Sequence, residues 1–204
     1  MKPTIYQITT PRLILRCYHL NDAKKLNDAI VASLDHLRPF MPWAQGDRWT
    51  VKDRLEHITH WIMNFEMNSD YVFGIFSQDG KTLIGGTGLH KRVGEGGLEI
   101  GYWIGKDYIN QGIATETVVG LLKVAFDHYE MDRVEIHCSS LNQASARIPL
   151  KLGFEHEATL KRRYHTESGF ADRYIFTLFR DKYPTPQLPA LDIRAYDDEG
   201  RQYL

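Results

Sequence analysis

The chain has 204 residues, of which 43% are hydrophobic, and its 25 Lys and Arg nearly balance 26 Asp and Glu. Such a length and apolar content suit one domain with a real core, and the charge balance excludes a nucleic-acid binder that works through an overall basic field. No apolar run approaches the ~18 to 20 residues of a membrane span, no signal-type run opens the chain, and Cys17 and Cys138 are too few and too distant for a disulfide framework or a CxxC metal site. The expectation is a cytoplasmic protein with reduced cysteines, no membrane partner and no direct nucleic-acid partner.

Taken in order, Arg12 to Cys17 alternates and reads as a first strand, and Asn21-Asp22 then caps a helix running to about Ser33. Leu37, Phe40, Met41, Pro42 and Trp43 form a dense apolar and aromatic loop. Thr50 opens a long helix with Leu55, Ile58, Ile62 and Phe65 on one face. These two helical segments serve equally well as core or as a surface for a second copy of the chain in a homodimer. His57 and His60 stand three apart on the second helix, but without a third ligand or an HExxH frame they read as a solvated face, and no metal is expected. Tyr71 to Ser77 and Thr82 to Lys91 read as antiparallel strands around the Asp79-Gly80 turn, with Gly85-Gly86-Thr87-Gly88 loosening the second.

Leu98 to Phe126 then reads as strand, turn and amphipathic helix. Tyr102, Trp103 and Ile104 suit a pleated sheet, while Ile113, Val118, Leu121, Leu122, Ala125 and Phe126 follow a helical period. The first N–H groups of a helix have no intrahelical partner, and the small residues of Asn110-Gln111-Gly112-Ile113-Ala114-Thr115 let a pyrophosphate approach that backbone; an ordinary turn before a core helix has the same look. A second unit repeats the pattern: Arg133 to Cys138 as strand, Asn142 to Ser145 opening a short helix, and Gly153 just past its end. Phe154 to Thr166 and Phe170 to Phe179 make a last hairpin around Glu167-Ser168-Gly169. Pro184, Pro186 and Pro189 are expected to end ordered structure, leaving residues 1–183 as the domain and 184–204 as a flexible extension or a docking arm.

The run QGIATE after a GYWI strand, followed by NxxS and KLGF, resembles the GNAT superfamily of N-acetyltransferases. TPRLILR (Thr10 to Arg16) and HLRPFMPWA (His36 to Ala44) resemble its ribosomal-protein N-terminal acetyltransferase branch, of RimJ/RimL type. The resemblance covers roughly residues 8 to 182. It implies a mixed α/β fold whose central sheet is mostly antiparallel, flanked by helices and splayed into a V that takes the pantetheine arm of acetyl-CoA near Tyr102, Trp103 and Ile104. The acceptor implied is the α-amine of a protein N-terminus. A small amine or metabolite, or a silent CoA-binding or interaction module, is the alternative.

Acyl transfer from a thioester needs two reactants held together, donors at the developing oxyanion and a path for protons, with no covalent enzyme intermediate. By the resemblance, Glu99 is the candidate base, directly or through water, and Ser145 the proton donor or orienter near the sulfur; Asn142 would hydrogen-bond the pantetheine. Read without it, Glu99 is a salt-bridged strand carboxylate and Asn142 a helix cap. Two positions depart from the family pattern: Pro149 stands where many members carry a tyrosine acid, and Ile109 where many carry Arg or Gln. Phosphate binding therefore leans on the backbone of residues 110–115, and Arg147 and Lys151 read as solvated charges. Phe40, Trp43 and Tyr164, with Trp61, are the candidates for the acceptor pocket.

Overall fold

The computed structural model describes residues 2–45, 50–166 and 169–204. In chain order the elements are β1 (Gln7–Thr9), β2 (Leu13–Cys17), α1 (Ala23–Leu37), α2 (Val51–Glu66), β3 (Asp70–Ser77), β4 (Leu83–His90), β5 (Gly97–Ile104), α3 (Ile113–Lys123), β6 (Arg133–Ser139), α4 (Gln143–Lys151), β7 (Glu155–Thr166), β8 (Gly169–Phe179) and β9 (Arg194–Tyr196). The strands form one sheet in the order β7-β8-β6-β5-β4-β3-β2-β1-β9. Its pairs are antiparallel except β5 with β6.

Local chemistry accounts for several boundaries. Thr50 caps α2 reciprocally: its backbone N donates to Asp53 Oδ2 at 2.6 Å, and its Oγ1 accepts from Asp53 N at 3.3 Å. Asp22 precedes α1, which runs past Ser33 because Leu34 and Leu37 continue its apolar stripe. In β2, Leu13, Leu15 and Cys17 are buried while Ile14 and Arg16 alternate with them. One apolar cluster joins α3, Phe65 and the central strands; a second joins α1 and Ile58 of α2 to Tyr18, Phe76 and Leu83. The two segments read as core or dimer surface thus bury Leu26, Ile30, Ile58 and Phe65 within this chain. The Glu167-Ser168 part of the last hairpin turn lies outside the described residues.

Two readings of the sequence need correction. Gly85 to Gly88 loosen β4 only at one register shift against β3, beside Gly85; the strand is otherwise paired on both sides and buried from Leu83 to Leu89. Two of the glycines instead admit large side chains: a Cβ on Gly86 would lie 2.5 Å from Trp103 Nε1 of the next strand, and one on Gly88 2.6 Å from His90 Nε2 of the same strand. Nor does order end at Pro184. β9 pairs antiparallel with β1, Tyr6 N donates to Tyr196 O at 2.8 Å, and Ile193 and Ala195 are buried. Without β9, β1 would be an edge strand with unpaired backbone groups, and the alternating Ile193-Arg194-Ala195 segment satisfies them; the prolines only route the chain there.

Candidate active site

The α3 N-terminus is built from the opposite end of the chain. Gly112 sits before it at φ +75°, in the left-handed region that glycine enters without strain, and Asn110 is also left-handed at φ 60°. Glu116, buried in the first turn, accepts from Thr10 Oγ1 at 2.6 Å and from Arg12 through its backbone N at 3.0 Å and its Nε at 2.6 Å. Arg12 Nη1 also donates to the Gln111 carbonyl at 3.0 Å, so the turn is clamped by the segment between β1 and β2. Asn110, Gln111 and Gly112 face solvent, Ala114 and Thr115 are half-buried and Ile113 is buried. Glu116 N, bonded to Gly112 O at 3.0 Å, starts the helical ladder, which leaves the preceding N–H groups for an anion.

The splay is equally explicit. β5 pairs with β6 only from Gly97 to Glu99, opposite Arg133 to Glu135, although β5 stays on β4 to Ile104 and β6 stays on β8 to Ser139. Beyond Glu99 the open edge of β5 carries main-chain donors and acceptors of the kind an extended diamide arm pairs with. From Ile104 back to Glu99 this edge runs ~16 Å at about 3.3 Å per residue. An arm anchored by phosphates at α3 and laid along it ends at the apex, beside Glu99.

α4 approaches the splay from the far side. Asn142 Oδ1 accepts from Ser145 N at 3.0 Å, so this side chain caps the helix. Ser145 Oγ lies 3.1 Å from the Tyr102 hydroxyl, which also donates to the Ser145 carbonyl at 3.3 Å. Burial pushes the Tyr102 phenol up, against the Ser145 hydrogen bond, so it remains a neutral donor. Burial likewise pushes the Cys138 thiol up to about 11, partly offset by Ser145, and both cysteines are free and buried.

A cavity of about 760 Å³ opens at the apex. Phe40, Trp43, Glu99, Tyr102, Trp103, Asn142, Ser145 and Tyr164 all line it, with Trp61; Ile104 is buried beside it, and residues 110–115 stand apart from it at the α3 start. Tyr164 donates its hydroxyl to the Phe40 carbonyl at 2.7 Å, tying the last hairpin to the aromatic loop, and Trp43 meets Trp103 edge-on at 6.2 Å. Arg147 and Lys151 are exposed. His57 lines the cavity, whereas His60 is exposed and does not. Among the described residues no cluster of three or more His, Cys, Asp or Glu is arranged to hold a metal.

Sequence reasoning missed the groups that surround Glu99. Arg92 grips both carboxylate oxygens, at 2.6 and 2.8 Å, and His137 Nδ1 lies 3.5 Å away, while His137 Nε2 meets Glu135 at 2.7 Å. Burial alone would raise the Glu99 carboxyl, but the Arg92 hydrogen bonds and the neighbouring positive charge hold it below the usual carboxylate value. On the other side, His90 Nδ1 lies 2.9 and 3.0 Å from the two Asp70 oxygens. The sequence held no signal for this pair: a two-residue turn at Asp79-Gly80 would set Asp70 opposite Leu89, and the register shift between Ile75 and Phe76 brings His90 there instead.

The Acetyltransferase (GNAT) domain family matches residues 12–155 of this chain. The chain is similar to an uncharacterized N-acetyltransferase p20 of Bacillus licheniformis, 27% identical over 85% of this chain and 96% of that one. It is also similar to the [Ribosomal protein uS5]-alanine N-acetyltransferase of Escherichia coli, at 24% over 84% and 90%. Among solved structures, Mycobacterium smegmatis RimJ in complex with CoA-disulfide shares the fold with a TM-score of 0.80 at 22% identity, over 92% of this chain and 94% of that one. The family match spans the anion-ready turn, the splayed strands and the α4 cap, and the chain belongs to the GNAT acetyltransferase family, as an acetyl-CoA-dependent N-acetyltransferase.

Proposed function

We propose that this enzyme acetylates the α-amine of a protein N-terminus by direct attack of the amine on the thioester. The observation that carries the reading is the grip of Arg92 on Glu99, which leaves the apex a weakly basic carboxylate. At pH 7 a free α-amine costs ~1 kcal/mol to deprotonate and a lysine ~4.6 kcal/mol, so a site without a strong base favours the α-amine. The relative named for uS5-alanine points the same way, since alanine has no side-chain amine.

Backbone N–H groups at Gln111 to Thr115 receive the pyrophosphate, and the β5 edge at Tyr102 to Ile104 receives the arm, with a main-chain N–H toward the thioester oxygen. Ser145, backed by Tyr102, supplies hydroxyl hydrogen bonds to the departing sulfur, while Asn142 holds the α4 turn that positions it. Glu99, with both oxygens engaged, acts through its field or an ordered water. Phe40, Trp43 and Tyr164 wall the acceptor. A protein N-terminus as acceptor fits an enzyme of the cytoplasm.

The test compares two peptides of one sequence by mass spectrometry, one with a free α-amine and blocked lysine, the other with the reverse. The free α-amine is expected to react faster at pH 7, with a margin that narrows as pH rises. Equal rates at pH 7 would remove the preference, and activity only on small amines would move the enzyme to metabolite acetylation.

A further inference from the structure

We propose that His90, oriented by Asp70, is the group that takes the acceptor's proton. The proposal rests on the cavity being the acceptor site. Asp70, His90 and Glu99 are register partners on three adjacent strands, β3, β4 and β5, and so form one row across the sheet at the apex of the splay. An ionised carboxylate only accepts, so the Asp70 contacts at 2.9 and 3.0 Å require the His90 proton on Nδ1 and leave the Nε2 lone pair available. Among the described residues Nε2 makes no hydrogen bond, and His90 lines the cavity with its side chain 16% exposed.

Two glycines explain the ring's position. Gly88 and Gly101 are opposite each other on β4 and β5, two residues from His90 toward the open end of the splay and on the same face. A Cβ on Gly88 would come within 2.6 Å of His90 Nε2, and one on Gly101 within 3.3 Å. The imidazole therefore lies along the sheet over this bare strip, with Nε2 above Gly88 and directed from the apex toward the open end of the splay. Glu99 cannot offer an equivalent lone pair at no cost, because both of its oxygens are held by Arg92.

The groups facing His90 come from several elements. Asp70 on β3 and Glu99 on β5 are the carboxylates on either side of it; Arg92, just past β4, is engaged by Glu99, and His137 on β6 is engaged by Glu135 and Glu99. Arg54 and His57 from α2, and Arg163, Tyr164, His165 and Arg173 from the last hairpin, line the more distant walls. In the step, the acceptor ammonium gives one proton to Nε2, and the neutral amine forms the new C–N bond as the C–S bond breaks. The second amine proton ends on the departing sulfur, and His90 returns its proton to solvent. Asp70 acts only by positioning the ring and holding its tautomer, as an orienting carboxylate does for other catalytic histidines.

The test uses His90→Gln, which can still donate to Asp70 but cannot take a proton, and Asp70→Asn, whose amide donor favours the other tautomer. On whichever amine the wild type acetylates, His90→Gln is expected to lower kcat/KM by about 10²-fold or more at pH 7, with the deficit shrinking as pH approaches the amine's own pKa. CoA affinity by calorimetry and the melting temperature should stay close to wild type. A wild-type rate, or a deficit that does not change with pH, overturns the proposal. Independently of turnover, ¹⁵N-histidine NMR should find neutral His90 protonated on Nδ1 in wild type and on Nε2 in Asp70→Asn; an Nε2–H tautomer in wild type also overturns it. If only the acceptor reading fails, the free-α-amine peptide goes unmodified while the tautomer and the His90→Gln deficit on another amine persist.

Discussion

The clamp of Arg12 and Glu116 can be measured in isolation from the chemistry. Glu116→Ala removes three hydrogen bonds at 2.6, 3.0 and 2.6 Å, takes the acceptor from the Arg12 N–H and leaves the Thr10 hydroxyl only its long contact to the Leu13 carbonyl at 3.5 Å as donor. Hydrogen bonds to a charged group contribute about 1.5 to 3 kcal/mol each when buried. The guanidinium bond deserves a deep discount, because the Arg12 side chain is 53% exposed. The two inner bonds then dominate, and a loss on the order of 3 kcal/mol is expected for Glu116→Ala. For a chain of this size that lowers Tm by roughly 6 to 12 °C. Arg12→Ala keeps the backbone donor and should lose only about 1 kcal/mol or less in stability. Arg12→Ala removes the Nη1 donor to the Gln111 carbonyl, and Glu116→Ala removes the carboxylate that holds this guanidinium in place, so both should weaken CoA binding in calorimetry even where the fold survives. The double-mutant cycle should give a coupling below about 1 kcal/mol. A Glu116→Ala protein as stable as wild type, or one with unchanged CoA affinity, would refute the idea that this clamp shapes the anion-binding turn.

Gly112→Asp should raise the CoA dissociation constant on the order of tenfold, since it forces a side chain to φ +75° and puts negative charge at the phosphate-facing helix end; wild-type affinity in the folded variant would reject that site. Asp22, which burial pushes up but two Arg16 hydrogen bonds and the His19 N–H hold below the usual value, contributes stability that is full above the ordinary aspartate pKa of ~3.9 and is lost as pH falls through the lowered one. Asp22→Asn should therefore cost roughly 2 kcal/mol near neutrality and converge with wild type in acid denaturation; a pH-independent difference would contradict this. Deleting residues 193–204 exposes the β1 edge and the Ile193 and Ala195 contacts, and should lower stability by about 2 to 4 kcal/mol; an unchanged urea midpoint would show that β9 adds nothing.

Local order was legible in the residues themselves. The alternation of β2, the Thr50 cap, the helical period after Gly112 and the Asn142 cap are each decided within a few residues by side-chain spacing and by unpaired backbone groups at helix ends, and each stands where the sequence put it. Phe40, Trp43, Tyr164 and Ser145 do line one cavity, but Arg92, His90 and His137 line it with them and carried no signal of their own in the sequence. The sequence could not reveal partnership across distance. Arg92 closing on Glu99, Asp70 orienting His90, Thr10 and Arg12 bracing a helix a hundred residues away, and Ile193-Ala195 pairing with β1 all depend on strand order and register. Register is set by which faces of the whole sheet are buried, and a shift of one residue would turn every one of these side chains to the opposite face. Tertiary structure therefore decided the basicity of Glu99, and with it where the proton can go, because a carboxylate's pKa belongs to its neighbours and not to its own position in the chain.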